Sequence, residues 1–397
     1  MITDLTDCID VGAVRADTPS CIATVHLNNA GASPTPDPVH RAMVAHLDLE
    51  RRIGGYAAAE RAAEDIASFN GELAALLGAS PGEIAFAESA TRAWTLAFHA
   101  LDLKEGDRIL THDSEYASNW MEMLHQSRRR GIGIDLVPSD DAGQIDPDAL
   151  QDLIGPRTRV VALTHAPTGD GLLNPAEEVG RICREAGLIF LLDACQSAGQ
   201  VTLDVDRIGC DMLTGTGRKF LRGPRGTGFL YVRQGLLDGI DPPVVDLHAA
   251  RWIAPHDFEL VPGATRFETF EQPVAARIGL ARAVRYARDI GISRIEKRIS
   301  RLSALLRGAL TDLAGVTVHD RGVRQSGIVT FSRAGEAPVA VRDRLRRRGI
   351  EVSVTPLAHG QLDLPARAPD GLVRASVHYF NTEAELMRLV DALKRGD

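Results

Sequence analysis

Two short motifs in this chain set a carboxylate and an amine at a spacing that supports imine chemistry. Leu191-Leu192-Asp193-Ala194-Cys195-Gln196 reads as a buried apolar strand ending in an acid. Thr214-Gly215-Thr216-Gly217-Arg218-Lys219 reads as a strand running into small residues and then a lysine, 26 residues beyond the aspartate. A lysine amine condenses with an aldehyde, and a carboxylate at a strand's carboxyl edge can keep a pyridine nitrogen protonated so that the ring accepts electrons from a carbanion. The pair predicts a pyridoxal 5'-phosphate (PLP) site, with the cofactor as a Schiff base on Lys219 and Asp193 against the ring nitrogen. The reaction needs a partly neutral lysine, and desolvation beside Arg218 and a pyridinium lowers a lysine from its usual pKa of about 10.4.

Taken singly, each residue has a plainer reading: an aspartate ending a strand as a turn or cap residue, a lysine after glycine as surface. The Gly223–Gly228 segment GPRGTG superficially resembles a phosphate loop. The glycine spacing is wrong and no Ser or Thr follows the lysine, so it reads as a turn.

The elements that must position these residues alternate. Short apolar runs at Glu83–Ala87, Arg108–Thr111, Gly133–Val137, Arg159–Leu163, Leu188–Leu192, Met212–Gly215 and Gly228–Val232 read as buried strands. Helical periodicity separates them, as at Ala90–Leu101, Asn119–Arg130 and Ala176–Ala186, after helices at Pro38–Arg52 and Ala57–Leu77. That order predicts an α/β fold with right-handed crossovers and a mainly parallel seven-stranded sheet, whose ligand sits beyond the strands' carboxyl ends. A basic helical stretch, Arg277–Leu313, leads into a smaller C-terminal α/β unit with strands near Val316–His319, Gly327–Phe331, Glu351–Val354 and Val373–His378, closed by a helix at Glu383–Lys394. The run RLRRR at Arg344–Arg348 reads as the solvated face of an amphipathic helix.

Composition bounds the partners. The 397 residues carry 53 acidic and 45 basic side chains, a net charge of −8, which argues against a nucleic-acid partner. No apolar run approaches the roughly 18 residues of a membrane span, and the acidic N-terminus is unlike a signal peptide, so the expected location is cytoplasmic. Cys8, Cys21, Cys183, Cys195 and Cys210 form no CxxC or Cys/His pattern, which predicts reduced, mostly buried thiols and no metal site.

The order LLDACQ, TGTGRKFLRGPRGTGFLYV, RFETFE and VRASVHYFNTEAEL resembles the class V aminotransferase group of fold-type I PLP enzymes, over about residues 26 to 395. That group includes cysteine desulfurases, selenocysteine lyases, isopenicillin N epimerase and kynureninase. The resemblance implies a large PLP-binding domain over 26–285, a small domain over 286–397, and residues 1–25 folded back on the small domain. It implies that Lys219 carries the Schiff base, Asp193 meets the pyridine nitrogen and Gln196 bonds the phenolate. Tyr116, in Glu115-Tyr116-Ala117-Ser118-Asn119, stands where relatives stack a histidine on the ring, and an aromatic face suits that place. The phosphate falls to the helix opening at Ala90 and Thr91, with Thr216 and Arg218, the last replacing a histidine. Thr168 takes the place of an asparagine beside the phenolate, and Trp94 reads as core.

At the substrate end, Arg374 matches the arginine that grips an α-carboxylate, which a planar guanidinium suits. Asn29 and Tyr56 match cleft positions, with packing an equal reading for Tyr56. The resemblance implies a homodimer whose sites lie near the interface, but the threonine that relatives lend to the partner's phosphate aligns with Glu271. Desulfurases carry a nucleophilic cysteine on a small-domain loop. The corresponding Val352–Gly360 has none, and no cysteine follows Cys210. The expectation is therefore a carbon–sulfur lyase that removes the α-proton of an S-substituted cysteine or its sulfoxide and eliminates the sulfur group, with hercynylcysteine sulfoxide lyase and PLP lyases of thiol conjugates as the similar subgroup. Aminotransferase, decarboxylating deaminase and epimerase stay open as alternatives, with a desulfurase or a non-catalytic PLP-binding regulator behind them.

Overall fold

The computed structural model describes residues 9–394. Cys8 and the rest of the first eight residues lie outside the described residues. Seven strands form the central sheet in the order Ile84–Ala87, Gly228–Val232, Met212–Thr216, Ile189–Asp193, Thr158–Thr164, Arg108–His112, Gly133–Val137. All neighbours run parallel except Gly228–Val232, which is antiparallel to both of its partners. The mainly parallel sheet expected from the alternating pattern is the one that forms.

Period-two alternation divides the strand side chains between two cores. Leu110, Val161, Leu163, Phe190, Leu192, Leu213, Phe229 and Tyr231 enter one cluster; Ile109, Val160, Ala162, Leu191, Met212, Leu230 and Val232 enter another. Helices cover both faces, so the strands read as continuous apolar runs. Trp94 lies in the second cluster, as a core residue. Gly133–Val137 departs from the buried strand expected: it ends the sheet with one neighbour, and Leu136 is exposed.

The basic helical stretch divides at Gly291 (φ 97°) into Val274–Ile290 and Ile292–Thr311, because only glycine takes that backbone cheaply. The predicted Ala57–Leu77 helix likewise divides, at Ala62, into Gly55–Arg61 and Ala63–Leu77. The C-terminal strands form a four-stranded sheet in the order Val316–Val318, Ile328–Arg333, Leu372–Ser376, Ser353–Thr355, antiparallel throughout. Val25–His26 pairs with Ile350–Glu351, and Arg15 bonds Glu385 at 2.8 Å, so the early residues lie against the C-terminal unit. Within RLRRR the solvated reading fails for Arg344, which is buried and bonds Glu336 and the Ala392 carbonyl, both at 2.7 Å. A two-stranded hairpin, Ala250–Ala254 with Asp257–Leu260, was not legible in advance because its alternating residues face solvent instead of a core. Among the described residues no helix is long and apolar enough to cross a membrane.

Candidate active site

Strand Ile189–Asp193 ends by delivering Asp193 to the carboxyl edge of the sheet, and its neighbour Met212–Thr216 ends three residues before Lys219. Adjacent parallel strands therefore bring the two groups to one edge, and both are buried. Burial pushes the Lys219 amine below its ordinary pKa against the opposing pull of Cys195 and Asp193, with smaller lowering contributions from Arg218 and Arg374. Lys219 Nζ stands 5.8 Å from the centre of the Tyr116 ring, and Tyr116 caps the helix Ala117–Arg130.

Asp193 is held at both oxygens. Oδ1 accepts from the Cys195 backbone N–H at 2.8 Å and Oδ2 from Asn119 Nδ2 at 2.8 Å. The same Asn119 nitrogen donates at 3.0 Å to Glu115, a fully enclosed carboxyl whose pKa is raised by desolvation and, to a lesser degree, by Asp193. Glu115 also takes the Tyr116 N–H at 2.7 Å and the Thr164 hydroxyl. Sequence reasoning gave neither Glu115 nor Asn119 a role. The signal was their i, i+4 spacing across a helix start, which puts both side chains on one face toward the sheet edge.

Gln196 Nε2 donates at 3.1 Å to the Ala30 carbonyl and at 3.1 Å to Thr168 Oγ1. A carbonyl can only accept, so the amide orientation is fixed, and buried Gln196 Oε1 is left without a partner among the described residues. Arg374, on Leu372–Ser376, is buried and donates from Nη1 to the Thr168 carbonyl at 3.1 Å and to its hydroxyl. Desolvation, with Arg218 nearby, brings its pKa down to about 10, so it remains a cation at neutral pH.

Ser89 Oγ caps Ala90–His99 by accepting the Arg92 N–H at 3.1 Å, leaving the N–H groups of Ala90 and Thr91 outside the helical ladder. Gly228 lies against that helix start: a Cβ there would stand 2.6 Å from the Ser89 carbonyl carbon and 2.8 Å from the Ala90 nitrogen. Thr216 is buried with its hydroxyl on the Thr227 carbonyl at 3.2 Å, and half-buried Arg218 donates to the Gly31 carbonyl. Asn29 is fully buried and spends its amide on the Ser376 carbonyl at 2.7 Å, two residues beyond Arg374. Tyr56 is 82% exposed on Gly55–Arg61, in a groove with Ala59, Ile66, Phe270 and Glu271 that includes none of Lys219, Asp193 and Arg374.

This set of groups fits PLP: an amine whose pKa burial lowers, a doubly anchored carboxylate, an aromatic face and a helix start for a phosphate. The described cysteines do not suit nucleophilic work. Cys183 and Cys210 are pushed by burial to about 12, Cys195 well above its ordinary value, and half-buried Cys21 is raised.

Relatives agree with the geometry. A probable cysteine desulfurase from Methanothermobacter thermautotrophicus is 29% identical over 96% of both chains, and one from Halalkalibacterium halodurans is 30% identical over 80% of this chain and 77% of its own. Among solved structures, the apo cysteine desulfurase of Thermococcus onnurineus superposes with a TM-score of 0.90 at 27% identity, covering 97% of each chain. A cystine C–S lyase in complex with cysteine persulfide superposes at 0.86 and 24% identity, over 95% of this chain and 99% of its own, a likeness of fold. The class V aminotransferase model matches residues 25–389, and the chain belongs to that family of fold-type I enzymes, whose cofactor is PLP.

Proposed function

We propose that this protein is a carbon–sulfur lyase that takes an S-substituted cysteine, or its sulfoxide, to a sulfur-containing product, pyruvate and ammonia by α-proton removal and β-elimination. One observation carries the reading: no cysteine follows Cys210, so the loop from which a desulfurase presents its thiolate has nothing to attack sulfur with. Cys195 beside the site is no substitute, since burial and Asp193 hold its thiol protonated. The chemistry that remains for a cysteine-like substrate is departure of the sulfur group from Cβ. The fold shared with a cystine C–S lyase leaves that choice to the residues.

Bound PLP supplies an electron sink for the α-carbanion. Lys219 would hold it and serve as the base: burial lowers the amine's pKa, which favours the form that takes the α-proton and later releases it. Asp193 keeps the ring nitrogen charged, with Asn119 and the Cys195 N–H fixing the direction of its oxygens. Tyr116 would cover the ring. Gln196 and Thr168 would face the phenolate, while the N–H groups of Ala90 and Thr91, with Thr216 and Arg218, would hold the phosphate. Arg374 takes the substrate carboxylate by releasing Thr168, and Asn29 steadies its strand through Ser376. In our reading the large domain spans 26–285 and the small one 286–397, with 1–25 on the latter. The enzyme is a cytoplasmic homodimer, for which exposed Tyr56, Trp252, Phe258 and Phe270 offer apolar surface. Glu271, an anion at the threonine's place, argues against a phosphate contact from the partner.

The test is turnover of a panel of S-alkyl cysteines and their sulfoxides by the purified holoenzyme, with products followed by mass spectrometry. Pyruvate and ammonia in equal amounts are expected, with all five cysteines replaceable by serine at a cost within about tenfold, or ~1.4 kcal/mol of barrier. Alanine with a protein persulfide would point to a desulfurase, and a keto acid retaining sulfur to transamination.

A further inference from the structure

Three residues beyond Lys219, Arg222 is the one described non-glycine residue with a left-handed backbone, φ 60°. Such a conformation costs an L-residue energy and persists where its surroundings over-determine it. The surroundings here come from three separate parts of the chain. Arg222 Nη2 donates to Thr18 Oγ1 at 2.6 Å in the N-terminal segment, Nε to the Pro34 carbonyl at 3.0 Å, and Nη1 to the Tyr379 hydroxyl at 2.9 Å in the C-terminal unit. Its guanidinium also lies 4.6 Å from the Phe380 ring centre and 5.3 Å from that of Tyr379.

The side chain is 1% exposed, and among the described residues no carboxylate lies within ion-pair distance of it. A buried cation held by neutral acceptors and aromatic faces is an expensive way to fill space, since an apolar side chain would avoid the desolvation cost. What the guanidinium gives is a rigid fork reaching three segments at once. At its backbone end, Arg222 N–H donates to the Lys219 carbonyl at 3.0 Å. At its far end, Tyr379 and Phe380 follow the strand Leu372–Ser376 that carries Arg374. A second tie runs beside it, from His378 Nε2 to the Phe220 carbonyl at 3.0 Å.

We propose that Arg222 is a positioning residue that couples the Arg374 strand to the Lys219 loop, so that displacement of that strand is felt at the lysine amine. The coupling rests on our reading that Lys219 carries the cofactor and Arg374 the substrate carboxylate. It makes the left-handed turn at Arg222 part of the site, held in place by the element that senses substrate.

The experiment uses the PLP-loaded full chain and two variants. Arg222→Lys keeps the charge and loses the fork; Tyr379→Phe removes one hydroxyl at the far end. For each, the pH midpoint of the visible absorbance of the lysine-bound cofactor is measured beside the melting temperature. Both variants are expected to move that midpoint by about 0.3 pH or more, because the amine's surroundings shift with the loop. A midpoint that moves less while melting falls would leave Arg222 a purely structural residue and overturn the proposal. If Arg222→Lys does not fold, Tyr379→Phe decides alone on the same criterion. Borohydride reduction followed by peptide mapping separates the two levels: cofactor fixed to another lysine removes the Lys219 reading, whereas cofactor on Lys219 with an unmoved midpoint removes only the coupling.

Discussion

Replacing Asp193 by asparagine isolates one charge. The two anchors of its carboxylate, the Cys195 N–H and Asn119 Nδ2, are both donors. An amide at this place must turn its own NH2 toward one of them, leaving a buried donor facing a donor at about 1 to 3 kcal/mol of stability. The catalytic loss is separate and larger. A charge pair at about 4 Å is worth about 4 kcal/mol at an effective dielectric of 20, so loss of the anion that keeps the ring nitrogen protonated should lower turnover roughly a thousandfold. PLP should stay bound, because Lys219 and the phosphate contacts are untouched. The assay is single-turnover product formation by gel-filtered holoenzyme, with retained PLP measured by absorbance and stability by chemical denaturation. Turnover within tenfold of wild type, with PLP retained, would refute the assignment. As a control, Asn119→Ala should cost less than Asp193→Asn, since it loosens the carboxylate without removing its charge.

Lys219→Ala should abolish both the lysine-bound chromophore and turnover; reduction with borohydride checks that no other lysine takes over. Arg374→Ala should lower kcat/KM by about 2 to 4 kcal/mol, mostly through KM, because a substrate carboxylate loses a desolvated, charge-assisted partner; steady-state kinetics read it directly. Gly228→Ala should weaken PLP binding at least tenfold, since a Cβ 2.6 Å from the Ser89 carbonyl carbon must push the helix start away; the check is equilibrium dialysis against PLP. His112 and His165 are buried neutral with pKa values lowered from 6.5 to about 4, so the unfolded chain binds more protons between those limits. Stability should therefore fall as pH drops from about 6.5 toward 4, by at most roughly 3 kcal/mol for each histidine, and His112→Gln should flatten that slope in denaturation curves measured across the range.

The sheet was legible because its central strands are buried on both faces and so consist of short apolar runs between turn residues, a pattern independent of what packs on them. That Asp193 and Lys219 meet at one edge was legible for a related reason: Asp193 closes such a run and Lys219 follows the end of the next by three residues, where adjacent parallel strands deliver their ends together. Where burial depends on distant partners, the sequence misleads. Arg344 looks solvated on its own helix and is buried only because Glu336 and the Ala392 carbonyl close over it. Asn29 looks like a cleft residue, but its amide is turned inward by Ser376, 347 positions away. Glu115 and Asn119 were in view as part of a motif, yet their link to Asp193 spans 74 positions and no local pattern encodes it.

The ionisable groups gathered at the site share one energetic feature. Lys219, Asp193, Glu115 and Arg374 are all charged or chargeable and all buried. Burial alone would make each a liability, costing several kcal/mol unless partners are fixed. For Asp193 the partners are donors within the chain. For Lys219 desolvation works against its charged form, and for Arg374 the hydrogen bonds go to a single threonine that a substrate carboxylate can displace. Asp193 is therefore satisfied before any ligand arrives, whereas under the proposed function Lys219 and Arg374 gain their best partners from cofactor and substrate. If that division is right, PLP should raise the melting temperature most where the lysine is present. Lys219→Ala apoprotein should be at least as stable as wild-type apoprotein, yet gain less from added PLP. An equal gain in both would mean that the phosphate contacts, and not the amine, dominate binding.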